Sequence, residues 1–147
     1  MIYEHTQKSP MGWILFVIGL LIIIISSGIS NQPKVIVISS GVAIILFFAS
    51  FCFSRLTIRD ETDFLIIQFG PLPVFRARIL YSEITEVQED RSNILDGWGI
   101  HLIPGRGLTY NVWGFDCVKI LKGKTTIRIA TDDKVALASF LKTKIQK

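Results

Sequence analysis

The sequence predicts an α+β protein in which a two-helix transmembrane hairpin precedes a strongly bent antiparallel sheet closed by a C-terminal helix. Three observations carry this expectation. Residues 10–33 and 35–54 contain no charged side chain, and Lys34 alone separates them. From Arg55 onward, short runs of β-forming residues alternate with turn-forming clusters. The last stretch of the chain places its apolar residues at helical spacing.

The apolar stretches come first. Each supplies about 20 residues, enough to cross roughly 30 Å of hydrocarbon as a helix that satisfies its own backbone polar groups. Spans are expected over about 11–30 and 35–54, after a short N-terminal tail at 1–10. The n-region carries one Lys and a Glu, and no small-x-small site follows the apolar run, so an uncleaved hairpin is expected rather than a signal peptide. Ser30-Asn-Gln-Pro33 is a turn-forming cluster, too short to do more than reverse the chain. Both flanks of the hairpin then share one side. Lys8, Arg55 and Arg59 flank it on that side against Lys34 in the loop, a bias that favours cytoplasmic termini in an inner membrane. Trp13, Lys34, Arg55 and Arg59 are the expected interface anchors. Gly12, Gly19 and Gly28, with Ser39, Ser40 and Gly41, would let helices approach closely, within the hairpin or between copies. Neither span holds an ionisable side chain, which argues against an ion or proton pathway.

Of the 147 residues, those from 55 to 147 suffice for one small domain with its own core. They carry 14 Lys and Arg against 11 Asp and Glu, a net of +3 by subtraction. That excess is interspersed, which argues against nucleic-acid binding. Leu56-Thr-Ile58 alternates and meets a polar turn, and Phe64-Leu-Ile-Ile-Gln-Phe69 ends at the breaker Gly70-Pro-Leu-Pro73. In the next strand Phe75, Ala77 and Ile79 share one face, and Arg76 and Arg78 the other. A further strand is expected to about Asp90. Two hairpins follow, turning at Pro104-Gly-Arg-Gly107 and at Lys122-Gly-Lys124, for about seven strands in all. Thr131 is a suitable helix N-cap, with Asp132 and Asp133 at the positive end of the dipole. Leu137, Phe140, Leu141 and Ile145 form the apolar stripe, and Lys142, Lys144 and Lys147 lie near the C-terminal end.

Strands in this number and order before a C-terminal helix resemble a pleckstrin-homology-like (PH-like) barrel. The stretches Gly97-Trp-Gly-Ile100, Tyr110-Asn-Val-Trp-Gly-Phe-Asp116, Gly123-Lys124 and Arg128-Ile-Ala-Thr-Asp-Asp133 resemble small bacterial membrane proteins that carry such a domain. The resemblance covers roughly residues 56–145. It implies a fold used for lipid, peptide and scaffolding roles, and it implies no activity. His101 stands where those relatives lead one to expect a basic residue.

No nucleophile, base and orienting group are placed to converge, so no enzyme is expected. The histidines are His5 and His101, and the latter reads as a half-exposed strand residue. Cys52 and Cys117 have neither C-x-x-C spacing nor a neighbouring His, which argues against a disulfide and against zinc; no metal or cofactor is expected. Asp132-Asp133 is better explained by capping than by metal binding. Arg76 and Arg78 are the leading candidate contact residues, since two guanidinium groups on one strand face can hold a phosphate or carboxylate. Arg106 at a hairpin tip is a candidate third charge, and Trp98 and Trp113 are candidates for covering a barrel end or meeting a partner. The expected function is a non-enzymatic interaction module that holds a protein partner, or a second copy, at the membrane. Binding of an anionic lipid or small anion, or service as an accessory subunit of a transporter or envelope complex, are the alternatives.

Overall fold

The computed structural model describes residues 2–145; Lys147, one of the expected helix-end cations, lies outside them. The elements run β1 (Glu4–Lys8), α1 (Met11–Ile29), α2 (Pro33–Cys52), β2 (Arg55–Glu61), β3 (Phe64–Phe69), β4 (Phe75–Leu80), β5 (Glu86–Arg91), β6 (Gly99–Ile103), β7 (Gly107–Asn111), β8 (Asp116–Lys122), β9 (Thr125–Ala130) and α3 (Lys134–Ile145). The class is α+β, as expected, but the described strands number nine and form two sheets instead of one closed barrel.

Both apolar stretches are helical and long and apolar enough to cross a membrane. They pack on each other and leave most of their side chains outside the protein core. Pro33 opens α2, a position where its missing N–H has no intrahelical partner to lose. The small-residue expectation holds in part. Gly12 and Gly19 are buried, and an added Cβ on Gly19 would fall 2.8 Å from the Phe47 ring. Gly28 and Gly41 have open space around them.

The largest departure from expectation is at the start. Residues expected as a tail form β1, which pairs antiparallel with β2 from Glu4 opposite Arg59 to Lys8 opposite Arg55. The strands on either side of the hairpin are therefore neighbours, and the Ser9 N–H donates to the Ser54 carbonyl at 2.9 Å to close the pair. Residues before α1 and after α2 lie at the same end of the hairpin.

The first sheet has the order β1-β2-β3-β4 and the second β5-β8-β9-β7-β6. All pairs are antiparallel except β7 with β9, which runs parallel through Leu108–Ile127, Thr109–Arg128 and Tyr110–Ile129. The expected wholly antiparallel arrangement fails there because β9 inserts between β7 and β8. The core lies between the sheets. Leu56, Ile58, Leu65, Ile67, Phe69 and Ile79 come from the first, and Val118, Ile120, Ile127 and Ile129 from the second. Leu137, Phe140 and Leu141 of α3 complete it, each such side chain contributing about 1.5–3 kcal/mol by leaving water. Helix α3 begins later than Thr131 suggested. The Leu137 N–H donates to the Asp133 carbonyl at 3.1 Å, and the Thr131 hydroxyl accepts from the Asp133 N–H in the turn before the helix.

Candidate functional site

Strand alternation decides what the first sheet shows to its surroundings. Its inner face carries Leu56, Ile58, Leu65, Ile67, Phe69 and Ile79 to the core, while Lys8 of β1, Arg55 and Arg59 of β2, and Arg76 and Arg78 of β4 are exposed on the outer face. The register sets their spacing. Lys8 lies opposite Arg55, beside the end of the hairpin. Arg76 lies opposite Gln68, which lies opposite Thr57; Arg78 lies opposite Ile66, which lies opposite Arg59. The basic side chains thus occupy three rows, and the row of Arg59 and Arg78 is about 13 Å along the strand from that of Arg55, at roughly 3.3 Å per residue.

Acidic groups offset this face only in part. Arg59 donates to Glu61, with Nη2 and Oε1 at 2.9 Å, and Glu4 lies opposite Arg59 across the β1–β2 pair. Arg78 lies over the Phe64 ring, 5.2 Å from its centroid, and Ile66 is buried in the same row. Among the described residues neither Arg76 nor Arg78 forms an ion pair. The pair that the sequence singled out is therefore exposed on one face, on the edge strand of its sheet.

Arg106 is elsewhere and committed. Its Nε donates to Asp96 Oδ1 at 2.8 Å and its Nη2 to Oδ2 at 2.7 Å, a bidentate pair with a carboxylate that is wholly buried. The Asn93 N–H also donates to Asp96 Oδ2, at 2.8 Å. The guanidinium of Arg106 holds the Asp96 carboxyl below the usual carboxylate range against the opposing effect of burial. Next to this pair, Arg128 Nε donates to Asp90 Oδ2 at 2.9 Å, and its Nη1 donates to the Arg106 carbonyl. Arg106 is the clasp of the 92–98 loop rather than a third charge beside Arg76 and Arg78. The Asp96 partnership was the residue role that sequence reasoning missed; an acidic residue between Asn93 and Gly97 was the available signal.

Trp98 and Trp113 do come together. Their rings stack at 5.0 Å between centroids and 17° between planes. Trp98 is half exposed and lines a cleft with Leu15 of α1 and Ala49 of α2, so the pair sits where the hairpin meets the sheets. His101 supports it from below: its Nε2–H donates to the Trp98 carbonyl at 2.7 Å, and its ring packs against Gly97. Trp13 is exposed on the first turn of α1, and Lys34 is exposed at the far end of the hairpin, in the first turn of α2.

Groups with chemical potential elsewhere are structurally engaged. Cys117 is buried between sheet neighbours, and burial, aided by the Asp90 carboxylate, pushes its thiol up to about 11. His5 Nε2–H donates to Asp132 Oδ1 at 2.5 Å, tying β1 to the turn before α3. The Tyr81 hydroxyl donates to Asp60, which also accepts from Lys144 of α3 at 2.9 Å. Burial raises the Tyr81 hydroxyl well above the usual phenol range, and the Asp60 carboxylate adds to the shift. Among the described residues no three His, Cys, Asp or Glu side chains gather where they could hold a metal ion. Comparisons with protein-family models, with curated proteins and with solved structures find no match to this chain.

Proposed function

We propose that this chain is a membrane-anchored, non-enzymatic interaction module. In this reading the hairpin spans a bacterial-type inner membrane, both flanks face the cytoplasm, and the sheets with α3 form a PH-like domain. Two sheets packed on one core and a closing C-terminal helix support the PH-like assignment, while nine strands and the parallel β7–β9 pair depart from a simple seven-stranded barrel. Long helices whose apolar side chains lie outside the core support the membrane assignment. The domain holds an acidic segment of a protein partner, or of a second copy, against the outer face of the first sheet.

The observation that carries this reading is the pair Arg76 and Arg78, exposed on an edge strand within a larger basic face and, among the described residues, in no ion pair. Strand β2 leaves the hairpin end directly, so the rows of that face climb away from the bilayer. A row about 13 Å beyond Arg55 suits an extended acidic chain better than a lipid headgroup. Crosslinking in intact membranes, followed by mild-detergent purification and mass spectrometry, tests it. A specific crosslinked protein, or a crosslinked dimer, that is lost in Arg76→Glu/Arg78→Glu and kept in Arg106→Lys supports the module. Identical products from wild type and the double variant overturn the contact face.

Lys8 opposite Arg55, next to the hairpin end, favours one second reading, binding of anionic headgroups. Lipid composition separates the two. Headgroup binding needs phosphatidylglycerol and persists in vesicles that hold no other protein, whereas the crosslink to an acidic segment, like that of an accessory subunit to a transporter or envelope complex, needs the partner protein and survives replacement of phosphatidylglycerol by phosphatidylcholine.

A further inference from the structure

The geometry points to a second membrane contact outside the hairpin: a rim of apolar loop residues that lies in the bilayer interface and seats the domain against the membrane. The inference rests on the hairpin spanning the bilayer. Two loops far apart in sequence meet the end of the hairpin. The β3–β4 loop starts at Gly70, packed so closely under the last turn of α2 that an added Cβ would fall 2.7 Å from the Cys52 carbonyl oxygen. The β5–β6 loop ends at Trp98, which lies in a cleft with Leu15 and Ala49. Leu15 is about one turn, some 6 Å, inside α1. Met11 and Phe53 line the same cleft, so Trp98 stands beside the first turn of α1 and the last of α2, at the level where the hairpin enters the bilayer.

The exposed side chains of these loops are large and apolar. Leu72 is 48% exposed, Val74 52%, Ile94 84% and Trp98 45%. They are linked around the hairpin end: Val74 and Phe75 line a cleft with Ile100, Phe75 stacks on Phe53 at 5.8 Å, and Ile94 shares a pocket with Trp98. Such residues left in water forgo about 25 cal/mol for every Å² of apolar surface. The headgroup–acyl boundary is the apolar phase at this level, and shallow burial of 5–10 Å is the depth at which surface-seated segments bind. Trp at that boundary is a common interfacial anchor, and Lys8 and Arg55 supply positive charge beside it. A protein partner or a second copy on the rim would have to share this space with lipid. Seated this way, the domain is fixed in orientation, and the outer face of the first sheet stands to the side of the bilayer.

The test uses the full chain in a Cys52→Ala/Cys117→Ala background, in vesicles of phosphatidylcholine and phosphatidylglycerol. Single cysteines replace Leu72, Ile94, Leu102 or Ile24 and carry a bimane fluorophore. Leu102 is the control for an exposed apolar residue off the rim, at the far end of β6 beside Arg106. Ile24, exposed within α1, reports the hairpin itself. Doxyl-labelled lipid should quench positions 72 and 94 but not 102, while iodide in the water should quench 102 and lose its effect at 72 and 94. Iodide quenching at 72 and 94 equal to that at 102, with Ile24 still quenched by lipid, overturns the rim and leaves the anchor standing. Shielding of 72 and 94 from both quenchers assigns the rim to protein and overturns it as well. Failure of lipid to quench position 24 sinks the anchor and the rim together.

Discussion

Gly107→Ala tests the parallel β7–β9 pair, and Gly105→Ala is its internal standard. Both glycines have positive φ, +94° for Gly107 at the first position of β7 and +78° for Gly105 in the turn just before it. An L residue in that region of backbone space costs roughly 1–2 kcal/mol at either site. Their surroundings differ. Around Gly105 nothing lies within 4 Å of an added Cβ. At Gly107 that atom would fall 2.1 Å from the Thr126 carbonyl oxygen and 2.9 Å from its carbonyl carbon. The obstacle is backbone of β9, so it cannot swing aside as a flexible side chain would. Relief requires β7 and β9 to part by about 1 Å, which strains the pairs from Leu108–Ile127 onward and adds about 1–3 kcal/mol by the measure of overpacked cores. Gly107→Ala should therefore cost about 2 kcal/mol more than Gly105→Ala. With a urea slope of about 1–3 kcal/mol/M for a small domain, that difference lowers the unfolding midpoint by about 1 M. The assay is urea titration of the full chain in detergent micelles, followed by tryptophan fluorescence. Equal midpoints for the two variants would refute the reasoning, because β7 could not then lie against Thr126.

The buried Asp96–Arg106 pair makes stability depend on acid. The folded Asp96 carboxyl sits below its ordinary value of 3.8, so its contribution is complete above that value and is lost as pH falls through the lower, folded one. Urea midpoints from pH 6 to pH 3 should drop in the wild type below about pH 4 and drop less in Asp96→Asn; parallel curves would discount the pair. Cys117, with its thiol pushed up to about 11 and no exposure, should resist a maleimide in intact membranes and react only at the rate of unfolding. Rapid labelling under native conditions would contradict its burial. Trp98→Ala should abolish much of the near-ultraviolet dichroism that the Trp98–Trp113 stack produces, and an unchanged spectrum would mean that the rings do not stack.

Features set by neighbours in sequence were legible. Charge-free length marks the two helices, Gly-rich turns mark the β6–β7 and β8–β9 hairpins, and alternation puts Arg76 and Arg78 on one face. Features set by distant partners were not. Glu4-His-Thr-Gln-Lys8 has no apolar alternation, since its strand is held by β2 from beyond the hairpin. The parallel β7–β9 pair leaves no local trace, because each strand also belongs to an ordinary antiparallel hairpin. Arg106 looked free at a loop tip because its partner, Asp96, is hidden by tertiary burial and not by spacing. The same holds for the cleft that Trp98 shares with the hairpin, whose lining joins residues more than 80 positions apart, as subtraction of 15 from 98 shows.

The β1–β2 pair is a β-hairpin whose turn is the whole helical pair. A fragment cut at Arg55 to give a soluble domain would lose an edge strand, leave β2 with unpaired backbone groups and strip the core of Tyr3. Such a fragment should tend to aggregate. In the intact chain the two helices bring β1 and β2 within reach of each other, so assembly of the sheet waits on assembly of the helices. A pull on the helical pair would also arrive in the sheet as shear across five paired positions, Glu4 to Lys8. The helical pair and the sheets thus form one mechanical unit.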